Sequence, residues 1–169
     1  KLVSHAWVDG YYYKPRTDRE ELEKYHEDLI VCSACIAGEV PNKIIRGDIE
    51  GAREACEWYH RVFGDDYYLE LQRHEVKDPT LVANREAYPL QQKANKVLMQ
   101  FAKEYGVKLV CTNDCHFEDK ETAEAHDHLL CLSTNEDLDD PKRMRYSKQE
   151  WFKTRQEMNE VFSDVPEAM

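Results

Sequence analysis

The sequence contains no long apolar run and no excess of positive charge, and each absence excludes a class of function. No stretch approaches the roughly 20 apolar residues that a membrane-spanning helix needs, and the first residues do not resemble a signal peptide. The formal net charge is -11, from 23 basic and 34 acidic residues. Because binding to a phosphate backbone draws on clustered lysine and arginine, this charge argues against nucleic-acid binding as the segment's main task. It leaves metal-assisted chemistry on a phosphate open.

The common nucleotide-binding motifs are also missing. The chain has neither the glycine-rich dinucleotide fingerprint nor the Walker phosphate-binding loop, so nucleotide binding by those devices is disfavoured. It has no internal repeat and no low-complexity tract. A length of 169 residues, 41% of them hydrophobic, predicts one globular domain. The chain begins with lysine rather than methionine, which predicts that it is a piece of a longer protein.

What the sequence does contain is an alternation of apolar runs and amphipathic segments. The runs predict strands at residues 29–32, 67–71 and 108–112, which start about 40 residues apart. The amphipathic segments predict helices from about 18 to 27 and over 40–46, 49–63, 86–105, 118–131 and 155–162. This succession of βα units predicts an α/β fold with a parallel sheet, either open and doubly wound or part of a barrel.

Capping residues predict where several helices begin and end. Capping boxes occur at 17–20 and at 154–157. Asp48 directly precedes the predicted helix 49–63, and Gly64 directly follows it. Pro89 fits only in the first turn of its helix, which makes the start of that helix uncertain. Helix 118–131 is expected to bury one apolar face, formed by Ala125, Leu129, Leu130 and Leu132.

The six cysteines are interpreted as reduced thiols of a cytoplasmic protein, because the chain is not a small secreted scaffold. Cys56, Cys111 and Cys131 fall within predicted helices and strands, where buried thiols are common. The pair Cys32 and Cys35 has no second pair at similar spacing, which argues against a zinc ribbon. Cys32 belongs to a strand and is expected to be buried, whereas Cys35 lies in the following turn and is free to contact a metal.

The residues that follow the three strands are the candidates for chemistry, because the carboxyl ends of parallel strands meet at one edge. Cys35 follows the first strand, His74 the second, and Asp114 and His116 the third. In an extended segment Asp114 and His116 would point the same way and could bind one ion. The alternative is a helix-capping aspartate beside an exposed histidine. His74 could face the same cleft or lie in a surface loop. Thiolate with imidazole favours zinc over magnesium.

Several segments resemble a known family. Residues 112–117 and 125–131 are similar to the end of the PHP (polymerase and histidinol phosphatase) domain of bacterial DNA polymerase III alpha subunits. Further segments fit the same family in the same order, namely 35–40, 68–74, 138–143, 157–158 and 162–168. The resemblance covers nearly the whole chain.

This resemblance implies a distorted (β/α)7 barrel that binds up to three metal ions at the carboxyl ends of its strands. Residues 1–134 would be the later portion of the barrel, and residues 135–169 a connector leading toward the polymerase domains. The early strands, with the family's opening ligands, would lie before the first residue. By position Cys35, Asp114 and His116 match metal ligands of the family. His74 matches a frequent family histidine and is a possible neighbour of the phosphoesterase site, although Glu75 follows where glycine is usual.

The function implied is that of a segment of a replicative DNA polymerase, a nucleotidyltransferase as the full-length protein. The PHP module would be a metal-dependent phosphoesterase resembling a 3′-5′ exonuclease, or a platform for a separate proofreading subunit. Zinc or manganese would serve the intact PHP domain, and magnesium would serve polymerisation in a region outside this segment. The expected partners are DNA through the rest of the subunit, the proofreading exonuclease subunit and other replicase subunits, with no membrane.

By itself the segment is expected to be inactive, because it holds no residues for polymerisation and only part of the metal site. Its unpaired strand edges predict self-association. Two alternatives remain open. One is a free-standing phosphoesterase of the same superfamily, such as a histidinol phosphatase. The other is a purely structural interaction module with inert strand ends.

Overall fold

Three parallel strands and seven α-helices form the part of the chain that the computed structural model describes, residues 1–76 and 82–169. The strands are β1 (Val31–Cys32), β2 (Tyr67–Leu71) and β3 (Lys108–Cys111). The helices are α1 (Leu2–Val8), α2 (Arg19–Lys24), α3 (Glu39–Arg46), α4 (Ile49–Phe63), α5 (Val82–Tyr105), α6 (Ala123–Thr134) and α7 (Arg155–Val161). None of these helices is long and apolar enough to cross a membrane. The predicted α/β class with a parallel sheet is confirmed.

The middle strand β2 organises the sheet, whose order is β1-β2-β3 with both pairs parallel. Alternate β2 residues, Tyr67, Leu69 and Leu71, are buried against the helices. Parallel neighbours need long crossovers, which α3 with α4 supplies before β2 and α5 supplies before β3. Phe101 and Leu98 of α5 complete this core. All three strands therefore end at the same edge of the sheet.

The first strand differs from its prediction. It has two residues rather than four, and Cys32, which was expected to be buried, is exposed, as is Ile30. The reason is that β1 is an outer strand of the sheet, and an apolar run alone does not distinguish an outer strand from a central one. The predicted burial of Cys56 and Cys131 is confirmed. All six cysteines are free.

Three of the predicted helix starts can be compared with the observed caps. The Asp48 side chain accepts a hydrogen bond from the Gly51 amide at 3.0 Å, which confirms the cap of α4. The capping box of α7 at Thr154 is also confirmed. The box at 17–20 is wrong, because Asp18 caps α2 instead by accepting from the Glu21 amide at 2.9 Å. Aspartate is among the strongest capping residues, and it stands one position later.

The first residues of α5 and α6 differ most from their predicted positions. Helix α5 begins at Val82, so Pro89 lies inside it rather than in its first turn. Helix α6 begins five residues later than predicted, after a turn in which the Thr122 amide donates to Asp119 Oδ1 at 2.9 Å.

The apolar face predicted for α6 is largely wrong, because Leu129 and Leu132 are exposed. A bidentate ion pair instead joins another side of this helix to the rest of the chain. Arg143 donates to both oxygens of Asp127 at 2.6 and 2.7 Å, and it turns that side of the helix toward the loop that follows.

The tail of the chain packs on the same core as the sheet. Phe162, Val165 and Ala168 are buried among the core residues. The Asn113 side chain, at the end of β3, donates to the carbonyls of Gln149 and Trp151, each at 2.7 Å. The boundary between the barrel portion and the connector, at residues 134 and 135, stays a prediction. The tail nevertheless packs against the folded core.

Truncation of Phe162 tests this packing. Phe162 has no exposed surface, so Phe162→Ala should lower the free energy of unfolding by about 3–5 kcal/mol in urea denaturation. Phe152→Ala is the matched control, since 74% of Phe152 is exposed, and it should change stability little. If Phe162→Ala lowers the free energy of unfolding no more than Phe152→Ala does, the tail does not belong to the core.

Candidate functional site

Cys35 lies in a tight turn between β1 and α3. Ala34 adopts a left-handed backbone conformation with φ of 64°, and the Gly38 amide donates to the Cys35 carbonyl at 2.8 Å. A Cβ atom at Gly38 would stand 2.1 Å from the Ser33 carbonyl oxygen, so only glycine fits. The turn therefore fixes the half-buried Cys35 directly beyond the end of β1.

Asp114 and His116 come together beyond the end of β3. Asp114 Oδ1 lies 3.5 Å from His116 Nε2, and both side chains are partly exposed. The backbone is not extended as predicted, since Asp114 has a φ of 47°. Aspartate tolerates this left-handed conformation better than most residues. The His116 amide donates to the Glu150 carbonyl at 2.7 Å, which fixes the second half of the turn.

The separation of Asp114 and His116 fits two ligands of one metal ion. Two donors at about 2.1 Å from a tetrahedral zinc stand roughly 3.4 Å apart, close to the 3.5 Å observed. Within residues 1–76 and 82–169, however, no three His, Cys, Asp or Glu side chains form a group that could hold a metal. Cys35 is thus not gathered with this pair into a complete site, and the described residues provide two adjacent donors.

Tyr146 lies beside His116 and was not singled out from the sequence. Its ring centroid lies 4.5 Å from that of His116. Burial raises the pKa of the Tyr146 hydroxyl, and the charges of Asp114 and Glu150 raise it further. Cys35 acts in the same direction, which places Tyr146 within electrostatic range of both loops. The hydroxyl keeps its proton at neutral pH and can donate a hydrogen bond. No local pattern in the sequence marks this one tyrosine among ten.

Glu70, on the middle strand, is a second residue that the sequence reading missed. Its carboxylate accepts from the Ala34 amide at 3.1 Å, from the Gln72 side-chain amide at 3.2 Å and from the Thr112 hydroxyl. Its own amide donates to Ser33 Oγ at 2.8 Å. The one signal in the sequence is a charged residue within an otherwise apolar strand.

His74 is buried beside the site rather than exposed in a surface loop. Only 4% of it is accessible. Nε2 donates to the Asn113 carbonyl at 3.1 Å, and Nδ1 accepts from the Gln91 amide at 3.0 Å. Glu150 Oε1 lies 3.5 Å from the same Nδ1. Burial lowers the pKa of His74 more than the nearby Glu150 raises it, so the ring is neutral at pH 7. His74 reaches the loop of Asp114 through the Asn113 carbonyl.

Comparison with known proteins shows what the chain is similar to. Residues 1–74 match the PHP domain family. The full length is 39% identical to the DNA polymerase III subunit alpha of Borreliella burgdorferi, covering 100% of this chain and 14% of that relative. Along its whole length, the chain is therefore similar to one segment of DNA polymerase III alpha subunits. The corresponding subunit of Thermus aquaticus is 37% identical over 99% of this chain and 13% of the relative. That of Campylobacter jejuni is 36% identical over 99% and 14%.

The extent of these matches bears on the candidate residues. The chain spans about one seventh of the curated alpha subunits that it matches, 14% for Borreliella burgdorferi. Cys35 and His74 lie within the PHP match, which ends at residue 74. Asp114 and His116 lie beyond it and are covered by the alignments with alpha subunits. The resemblance found in the sequence is therefore confirmed at the level of the family.

The buried, neutral His74 makes stability depend on pH. Its pKa is lowered by folding, so the stabilisation is fully present above the unfolded value of about 6.5 and is lost as pH falls through the folded value. The slope from this group reaches at most about 1.4 kcal/mol per pH unit. His74→Gln should unfold with a flatter pH dependence than the wild type between pH 6.5 and 5.

The matched control is His128→Gln, because His128 is exposed on α6. Urea denaturation at a series of pH values measures both variants against the wild type. The control should keep the wild-type slope. If His74→Gln also keeps it, His74 does not titrate as its burial requires.

Proposed function

We propose that the full-length protein is the replicative DNA polymerase subunit that carries out DNA-templated DNA synthesis, and that this segment is part of its PHP module. The observation that carries the proposal is the alignment of the entire chain with alpha subunits, at 39% identity for one of them. The alignment includes the tail, which a free-standing phosphatase would not share with a polymerase. A histidinol phosphatase is therefore the weaker alternative.

Within that subunit, the candidate site supports a metal-dependent phosphoesterase resembling a 3′-5′ exonuclease. Asp114 and His116 have the spacing of two ligands. Cys35 would approach the same ion from the neighbouring loop, and the remaining ligands would come from other parts of the subunit. Thiolate, imidazole and carboxylate suit zinc, and imidazole with carboxylate suits manganese. Such an ion, when bound, polarises phosphate oxygens and lowers the pKa of a bound water.

The chain's own residues would hold and orient a phosphate at this edge of the sheet. The protonated Tyr146 hydroxyl can donate a hydrogen bond beside the His116 ring. His74 would hold the Asp114 loop from behind through the Asn113 carbonyl. In this proposal residues 1–134 belong to a distorted (β/α)7 barrel and residues 135–169 lead toward the polymerase domains. Polymerisation, with its magnesium, belongs to those domains.

A second role, as a platform for the proofreading exonuclease subunit, is favoured by the exposed apolar side of α6. Leu129 and Leu132 lie on the surface there, as an interaction face requires. DNA and the other replicase subunits would be contacted through the rest of the polypeptide, in the cytoplasm. The exposed Ile30 beside the outer strand β1 supports self-association of the isolated segment.

Metal analysis of the full-length subunit tests the site. The double variant Asp114→Asn, His116→Ala should lose bound zinc or manganese, because both proposed donors from this loop are removed. Metal-dependent release of nucleotides from a 3′ end should fall at least tenfold. The matched control is Asp139→Asn, His128→Ala, which changes the same residue types at exposed positions.

Equal metal content in the wild type and the first double variant would contradict the proposal. Thermal unfolding of both double variants checks that they fold. The isolated 169-residue chain should bind metal weakly or not at all and should release little nucleotide. Robust metal-dependent nuclease activity of that chain would show that no further ligands are needed.

A further inference from the structure

The loops that carry the proposed ligands come from strands that do not touch each other. Cys35 follows β1 and Asp114 follows β3, while β2 lies between them. No backbone hydrogen bonds of the sheet join β1 to β3 directly. The distance between the two loops therefore depends on what β2 contributes at its carboxyl end. Glu70 is the charged residue at that place.

One carboxylate of β2 contacts both loops. Glu70 Oε2 accepts from the backbone amide of Ala34, the residue before Cys35, at 3.1 Å. Glu70 Oε1 accepts from the hydroxyl of Thr112, two residues before Asp114. Hydrogen bonds to a charged carboxylate are stronger than neutral ones. Glu70 thus joins the loop after β1 to the loop after β3.

A side-chain amide reinforces the same contact. Gln72 Nε2 donates to Glu70 Oε1 and to Thr112 Oγ1, each at 3.2 Å. Gln72 is buried and both Glu70 and Thr112 are half-buried, so this triangle is partly shielded from competing water. On the other side, the Glu70 amide donates to Ser33 Oγ at 2.8 Å. Both flanks of Glu70 are therefore fixed by hydrogen bonds.

The conformation of Ala34 needs such a contact. Its φ of 64° places an ordinary side chain in the left-handed region, which alanine rarely adopts. The amide that donates to Glu70 belongs to this same residue. Without the carboxylate, the Ala34 amide would lose this hydrogen-bond partner. The Ala34 backbone could then return to a more common conformation, and that change would rotate Cys35 away from its position.

We propose that Glu70 is a positioning residue of the metal site, which sets the placement of Cys35 relative to Asp114 and His116. This inference rests on the proposed function. We assign Glu70 to the support of the two loops rather than to the ion, because its carboxylate accepts hydrogen bonds from Ala34, Gln72 and Thr112. Its role is carried out through the residues that it holds.

Cobalt binding to the full-length subunit provides a readout that a purely structural role would not change. A cobalt ion bound to a thiolate has a ligand-to-metal charge-transfer absorption, which reports a cysteine in the coordination sphere, and Cys35→Ser should abolish the part of it that Cys35 contributes. Glu70→Ala should weaken cobalt binding by about 10- to 100-fold, as loss of residues that orient ligands does. It should also reduce the thiolate absorption of the bound ion. Glu70→Gln keeps one acceptor oxygen and should restore part of both.

The matched control is Glu54→Gln, an exposed glutamate on α4, which should bind cobalt as the wild type does. If Glu70→Ala binds cobalt with wild-type affinity and absorption, the positioning role is overturned and the metal site stands. If the wild type itself binds no cobalt, the proposed metal site is overturned and the positioning role with it. The two failures are thus distinguishable.

If Glu70→Ala does not fold, a further variant tests the positioning role of Glu70. Thr112→Val removes the hydroxyl that donates to Glu70 and keeps the shape of the side chain. It should loosen the loop after β3 and weaken cobalt binding several-fold. Unchanged affinity in a folded Thr112→Val and a folded Glu70→Gln would overturn the proposal.

Discussion

The parallel pairing of β2 with both neighbouring strands is the constraint on which the rest of the structure depends. Because all three strands run the same way, the residues that follow them meet at one edge of the sheet. The crossovers bury Leu69 and Leu71 on β2 and so hold it in the centre. A carboxylate on this strand, Glu70, can then reach the loops on either side. The candidate site follows from strand direction before any single side chain is considered.

The tail is the second support of the site. Segment 147–153 lies against the loop after β3, where Glu150 accepts from the His116 amide and Asn113 donates to two carbonyls. Phe162 anchors the same tail in the hydrophobic core. The loop of Asp114, whose φ is 47°, is therefore held between β2 and the tail. The tail therefore contributes contacts both to the hydrophobic core and to the loop that carries the candidate site.

The sequence allowed the parallel sheet, most of α4 and the strand-end candidates to be predicted, because these depend on local patterns. Apolar runs mark strands, and Asp48 marks a helix start by its own hydrogen bond. The exposure of Cys32 was not predictable, since an apolar run does not reveal whether a strand is central. The contacts of Glu70 and Tyr146 were not predictable, because their partners lie far away in the sequence. The contact of α6 with Arg143, 16 residues after Asp127 in the chain, was likewise not predictable from a local pattern.

Anomalous diffraction at the zinc absorption edge, from crystals of the full-length subunit, tests the central claim most directly. That claim is that the ends of β1 and β3 share a metal ion. A zinc ion in the proposed site should lie about 2.3 Å from Cys35 Sγ and about 2.0–2.2 Å from Asp114 and His116 donor atoms. Crystals grown with zinc that show these three side chains without an ion between them would contradict it.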